Sequence, residues 1–161
     1  MSRRGLSLIE AVVSCALVGV LLVAAMRSVG ASALAQYQTA EWATARWLAD
    51  GLMTEILAKS YKDPGATPQF GPESGESSTS KADYDDVDDY QGWSESPPQS
   101  ADGAAMPDLA GWQRSVAVDW IDPLDLSETT LWDTGAKRIA VTVRHNGTVA
   151  AARTAIRTEA P

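Results

Sequence analysis

Between Arg3-Arg4 and Arg27 lie 22 residues, Gly5 to Met26, in which the only charged side chain is Glu10. The rest of that stretch has only small polar interruptions such as Ser7 and Ser14, and the run from Ala11 to Met26 is nearly continuously apolar. As a helix rising ~1.5 Å per residue it reaches roughly 33 Å, enough to cross a ~30 Å hydrocarbon core. This commits the N-terminus of a 161-residue chain to something other than a water-soluble core. The basic flank Arg3-Arg4 predicts a cytoplasmic N-terminus, with everything after Arg27 on the far side of the membrane.

Three readings of this segment compete. A secretory signal peptide shares the basic start, but its apolar part usually runs ~7–15 residues, and Ala24-Ala25-Met26 is a poor small-x-small cleavage site. A plain single-span anchor explains the length but leaves Glu10 without a purpose. A carboxylate in a membrane helix is costly unless paired or interfacial, which makes it a functional candidate. The third reading uses Glu10. Arg3 and Arg4, then Gly5, the apolar Leu6, Glu10 and the run Ala11–Met26 together resemble the class III signal of type IV prepilins.

That resemblance carries specific expectations. In the family a membrane aspartyl prepilin peptidase cuts after the glycine and methylates the new amine. Here the cut falls between Gly5 and Leu6. The family most often has Phe at the position of Leu6, so Leu is a departure, though an apolar one. Glu10 is expected to serve assembly, since its geometry for pairing with the amine of its own helix is poor while the amine of a neighbouring subunit is within reach. The implied product is a minor pilin or minor pseudopilin of a type IV pilus or type II secretion pseudopilus. Its partners would be prepilin peptidase and other pilins or pseudopilins, and it would sit in the bacterial inner membrane as a single-pass protein with its C-terminal domain periplasmic.

Beyond the membrane the apolar positions Trp42, Ala45, Leu48, Ala49, Leu52, Met53, Ile56 and Leu57 recur at helical spacing. Glu41, Arg46, Asp50 and Glu55 mostly fall on the other side. No proline precedes Pro64. One helix is therefore predicted from about Leu6 to about Tyr61, loosened near Gly19 and Gly30, and stopped by Asp63-Pro64-Gly65. The predicted division is a leader at 1–5, a transmembrane half-helix at 6–27, an amphipathic half-helix at 28–61, an acidic loop region at 62–111 and an antiparallel sheet at 112–161.

The sheet is legible from alternation. Val116, Val118 and Trp120 fall on one face of a strand over 115–121, and Ile139, Val141 and Val143 on one face of a strand over 137–144. Asn146-Gly147 signals a hairpin into a strand over 148–156. The expected class is α+β: a long N-terminal membrane-spanning helix whose C-terminal half packs on a small antiparallel sheet, as in pilins.

Residues 62–111 are rich in Pro, Gly, Ser and Asp and hold the run Asp83-Tyr84-Asp85-Asp86-Val87-Asp88-Asp89-Tyr90-Gln91-Gly92-Trp93. A structureless stretch of this length is unusual inside a compact domain. Crowded carboxylates repel unless neutralised, and oxygen donors suit Ca²⁺, which makes Asp83, Asp85, Asp86, Asp88 and Asp89 candidate metal ligands. The run is no EF-hand, because the sixth position lacks Gly and the twelfth lacks Glu. The competing expectation is a folded acidic loop with Tyr90 and Trp93 docked on the sheet. Asp86-Val87-Asp88-Asp89-Tyr90-x-Gly92 also resembles a segment in minor pilins of the mannose-sensitive haemagglutinin pilus type.

Other chemistry is thinly supported. The formal net charge of -8 argues against binding nucleic acid through a basic field. The single cysteine, Cys15, excludes an intrachain disulfide. The single histidine, His145, precedes a turn and would have to serve any Ser-His or Cys-His catalysis alone. A tethered hydrolase built on paired Asp residues lacks evidence of fixed geometry. A structural subunit and no enzyme is expected. The alternative is a membrane-anchored extracytoplasmic binding module that uses the acidic loop to hold a cation or polymer.

Overall fold

The computed structural model describes residues 7–64, 69–77 and 79–159. It divides into two compact units, Met1–Glu41 and Trp42–Pro161. One helix, α1 (Leu8–Leu57), contributes to both. Ser7 starts it: its hydroxyl accepts the Glu10 N–H at 3.3 Å, the N-cap arrangement that satisfies an otherwise orphaned first-turn donor. The helix runs without a break through Gly19, Gly30 and Gly51, so the expected loosening at the first two does not occur.

In the N-terminal unit every described residue from Ser7 to Ala40 is exposed. This is the one helix among the described residues that is long and apolar enough to cross a membrane.

In the C-terminal unit α1 becomes one-sided. Ala45, Leu48, Ala49, Leu52, Met53 and Ile56 are buried, following the i, i+3, i+4 stripe. Trp42, expected in that stripe, is exposed, so the buried face begins at Ala45. The helix also ends at Leu57 rather than near Tyr61. The cause is a competing pairing. Ser60 donates its N–H to the Asp85 carbonyl and accepts the Val87 N–H, which draws the backbone out of the helical path.

The stripe packs on a four-stranded antiparallel meander in the order β1 (Ser94–Glu95), β2 (Trp112–Trp120), β3 (Ala136–His145), β4 (Thr148–Thr158). Val116 faces Val141 and Val118 faces Ile139 across β2 and β3, and these four with Val143 form the sheet side of the core. The α+β class is as expected. The sheet begins earlier than residue 112, because Ser94–Glu95 pairs with Arg114–Ser115. Asn146 and Gly147 take φ of 49° and 82°, the left-handed conformation that a two-residue hairpin of matching twist requires. His145 stacks on Trp112 at 4.2 Å between centroids, beside this turn.

The described residues of the segment 62–111 do not form a structureless connection. Tyr84, Val87, Tyr90 and Trp93 are buried and belong to the same apolar cluster as the helix stripe and the strands. Tyr84 meets Tyr90 and Trp93 edge-on at 5.0 and 5.5 Å. The expectation that Tyr90 and Trp93 dock is met, and the aromatics are what fix the acidic run in place.

Candidate functional site

Gly5 and Leu6, the expected processing junction, lie outside the described residues, as do Arg3 and Arg4. Glu10 lies in the first turn of α1 and is exposed. A carboxylate there is favoured by the partial positive charge of the helix N-terminus. Its backbone, through Ser7, completes the cap, and its side chain stays available on an exposed apolar helix.

The acidic run supplies the second candidate. A turn of 3-10 helix at Asp88–Tyr90 places successive side chains in different surroundings. Asp83 and Asp85 are exposed, whereas Asp86, Asp88 and Asp89 are buried. Asp86 and Asp89 build the turn with one oxygen each. Asp86 Oδ1 accepts the N–H of Asp88 at 2.7 Å and of Asp89 at 3.3 Å. Asp89 Oδ2 accepts the N–H of Asp85 and of Asp86, both at 2.9 Å. Asp88 is committed elsewhere. It forms a buried ion pair with Lys137 of β3, and its second oxygen accepts the Gly71 N–H at 3.2 Å.

Chain return brings in two acids that sequence inspection did not single out. One carboxylate oxygen from each of Glu73, Asp86 and Asp89 lies within 4.8 Å of the others, and Glu76, Asp85 and Asp89 form a second such group. Asp83 and Asp88, both expected as ligands, are in neither group. Glu73 and Glu76 lie outside the conspicuous Asp run, in a Gly/Ser stretch with no periodicity. Their i, i+3 spacing was the only clue, and Glu76 Oε2 accepts the Glu73 N–H at 2.8 Å.

The electrostatics follow from this crowding. Burial, then the charge of Asp88, pushes the Asp86 carboxyl up to about 8. Burial, then contact with Asp89, pushes Glu73 up to about 7. Burial also raises Glu76 and Asp85. The other buried acids among the described residues have cations, Lys137 for Asp88 and Arg114 for Glu95, and the half-buried Glu55 has Lys81 at 2.6 Å. Such pairing is the usual condition for burying a charge. A cleft of about 360 Å³ opens beside Glu73 and Glu76 and is walled by Tyr84 and Trp93.

Comparison of the chain with protein-family models, with curated proteins and with solved structures gave no match.

Proposed function

We propose that this chain is a structural subunit of a type IV pilin-like filament, a minor pilin or minor pseudopilin, made as a precursor that prepilin peptidase cuts between Gly5 and Leu6. The observation that carries the reading is the division of α1. One uninterrupted helix is apolar from Ala11 to Met26 and exposed on all sides through Ala40, yet buries a single stripe on the sheet from Ala45 onward. An apolar helix with no protein cover of its own needs a membrane, and then like helices if it leaves the membrane. Glu10 in its first turn is the one acid in that surface, and in this reading it meets the amine of an axially offset neighbour. The helix-plus-meander order agrees with the architecture that the prepilin-like signal implies.

In this reading the protein works by packing and not by catalysis. It is anchored in the inner membrane, N-terminus inward, with the unit from Trp42 onward outside the cytoplasm. The deciding experiment is mass spectrometry of the mature N-terminus from a host that carries prepilin peptidase. A chain beginning at a methylated Leu6 is expected. A mature N-terminus near Ala25 would instead mark a secretory signal peptide and end the filament reading.

A further inference from the structure

Asp86 and Asp89 are each 1% exposed, and each keeps an oxygen that the turn does not use. Asp86 Oδ2 and Asp89 Oδ1 are buried without a hydrogen-bond partner, and so is Glu73 Oε1. A buried carboxylate oxygen left unsatisfied is expensive. Three together, in side chains whose oxygens approach within 4.8 Å, also repel. No basic side chain among the described residues forms an ion pair with any of the three, although Asp88, Glu95 and Glu55 nearby all have one.

We propose that Glu73, Asp86 and Asp89 bind one Ca²⁺ ion, with Glu76 and Asp85 at its rim. The donor set is all oxygen, which selects hard cations over zinc or copper. Oxygens at ~2.3–2.6 Å from one calcium stand up to roughly 5 Å apart, so a spread of at most 4.8 Å suits it. Mg²⁺ demands a tighter octahedron and gives up its water reluctantly, so an irregular cluster of protein carboxylates favours Ca²⁺.

The ion would join three parts of the fold. Glu73 belongs to the Gly/Ser-rich stretch. Asp86 pairs by its backbone with Ser60, just past the end of α1. Asp89 lies in the turn whose Asp88 is held by β3. Calcium therefore fixes the least regular part of the unit to its helix and sheet. The inference stands apart from the filament reading, since it uses only the unit from Trp42 onward.

The test uses the full chain in mild detergent, stripped of metal. Tb³⁺ serves as the probe, because Trp93 and Tyr84 wall the cleft beside Glu73 and can sensitise its emission. Saturable one-to-one emission is expected, displaced by Ca²⁺ with an affinity on the order of 10⁻⁴ M or tighter and by Mg²⁺ at least tenfold less well. Glu73→Gln should weaken Ca²⁺ binding at least tenfold, while Asp83→Asn, exposed and outside the set, should change it less than twofold. Asp89→Asn should weaken it further. If that variant fails to fold, because Asp89 Oδ2 also holds two backbone N–H groups, Glu73→Gln decides alone. Absence of saturable emission, or equal weakening by Glu73→Gln and Asp83→Asn, overturns the proposal.

Discussion

The buried pair of Asp88 and Lys137 offers the sharpest energetic test of the C-terminal unit. Their side chains are 4% and 2% exposed. The Lys137 ammonium donates to Asp88 and to the Tyr61 carbonyl, and stands 4.4 Å from the centroid of the Tyr61 ring. Replacing Asp88 by Ala leaves that ammonium with one carbonyl and one ring face. Replacing Lys137 by Met leaves a buried carboxylate next to Asp86. Breaking a buried pair from either side costs about 3–5 kcal/mol, because the surviving charge is uncompensated. With a urea slope of about 2 kcal/mol/M, that moves the unfolding midpoint by roughly 2 M. The double variant Asp88→Ala/Lys137→Met leaves no charge behind and should lose far less than the sum of the singles. Urea titration followed by tryptophan fluorescence reads the change at the buried Trp93 and Trp112. Single-variant shifts below about 0.5 M, or a double variant equal to the sum, would show that water reaches the pair. The pair Arg153–Asp50, with side chains 38% and 58% exposed, is the contrast, and breaking it should cost only about 0–1 kcal/mol.

Two further outcomes follow from the division of α1. A chain beginning at Ser28 should give a cooperative melt and mixed helix-strand circular dichroism, because the apolar cluster starts at Ala45 and closes within the C-terminal unit; a molten, aggregating product would refute that. Glu10→Gln should insert as well as the parent, since the Ser7 cap uses the Glu10 backbone N–H that Gln retains. Co-purification with partner pilins should fall, because a buried unpaired amine costs about 3–5 kcal/mol; undiminished assembly would reduce Glu10 to an interfacial residue.

The central strands were legible because their chemistry is periodic. Val116 and Val118 in β2, and Ile139, Val141 and Val143 in β3, alternate as a half-buried sheet demands. The edges were not. In β4 the large side chains Val149 and Ile156 are exposed, while Ala151, Arg153 and Ala155 lie toward the helix, with Arg153 reaching Asp50. Its hydrophobic signal therefore points the wrong way. β1 is two residues long and carries no period. Short or charged edges are also what keeps a sheet from pairing with other chains. The early end of α1 was equally hidden, because Ser60 leaves the helix for a backbone pairing with residues more than 20 positions on.

The acidic run was legible only in part, for a related reason. Counting Asp residues treats them as equivalent, yet the turn at 88–90 sends neighbours to opposite fates. Asp83 and Asp85 face solvent, Asp88 neutralises Lys137, and of the run only Asp86 and Asp89 keep a buried oxygen without a partner, in side chains that approach Glu73. The same two residues use their other oxygens to cap four backbone N–H groups between Asp85 and Asp89. Each carboxylate is thus half scaffold and half donor. The scaffold half would hold the turn whether or not an ion is bound, so the donor oxygens are positioned in advance. Preorganised donors lose little conformational freedom on binding. Removing Asp89 should therefore disturb both fold and affinity, while removing Glu73, whose side chain caps no turn among the described hydrogen bonds, should disturb affinity alone.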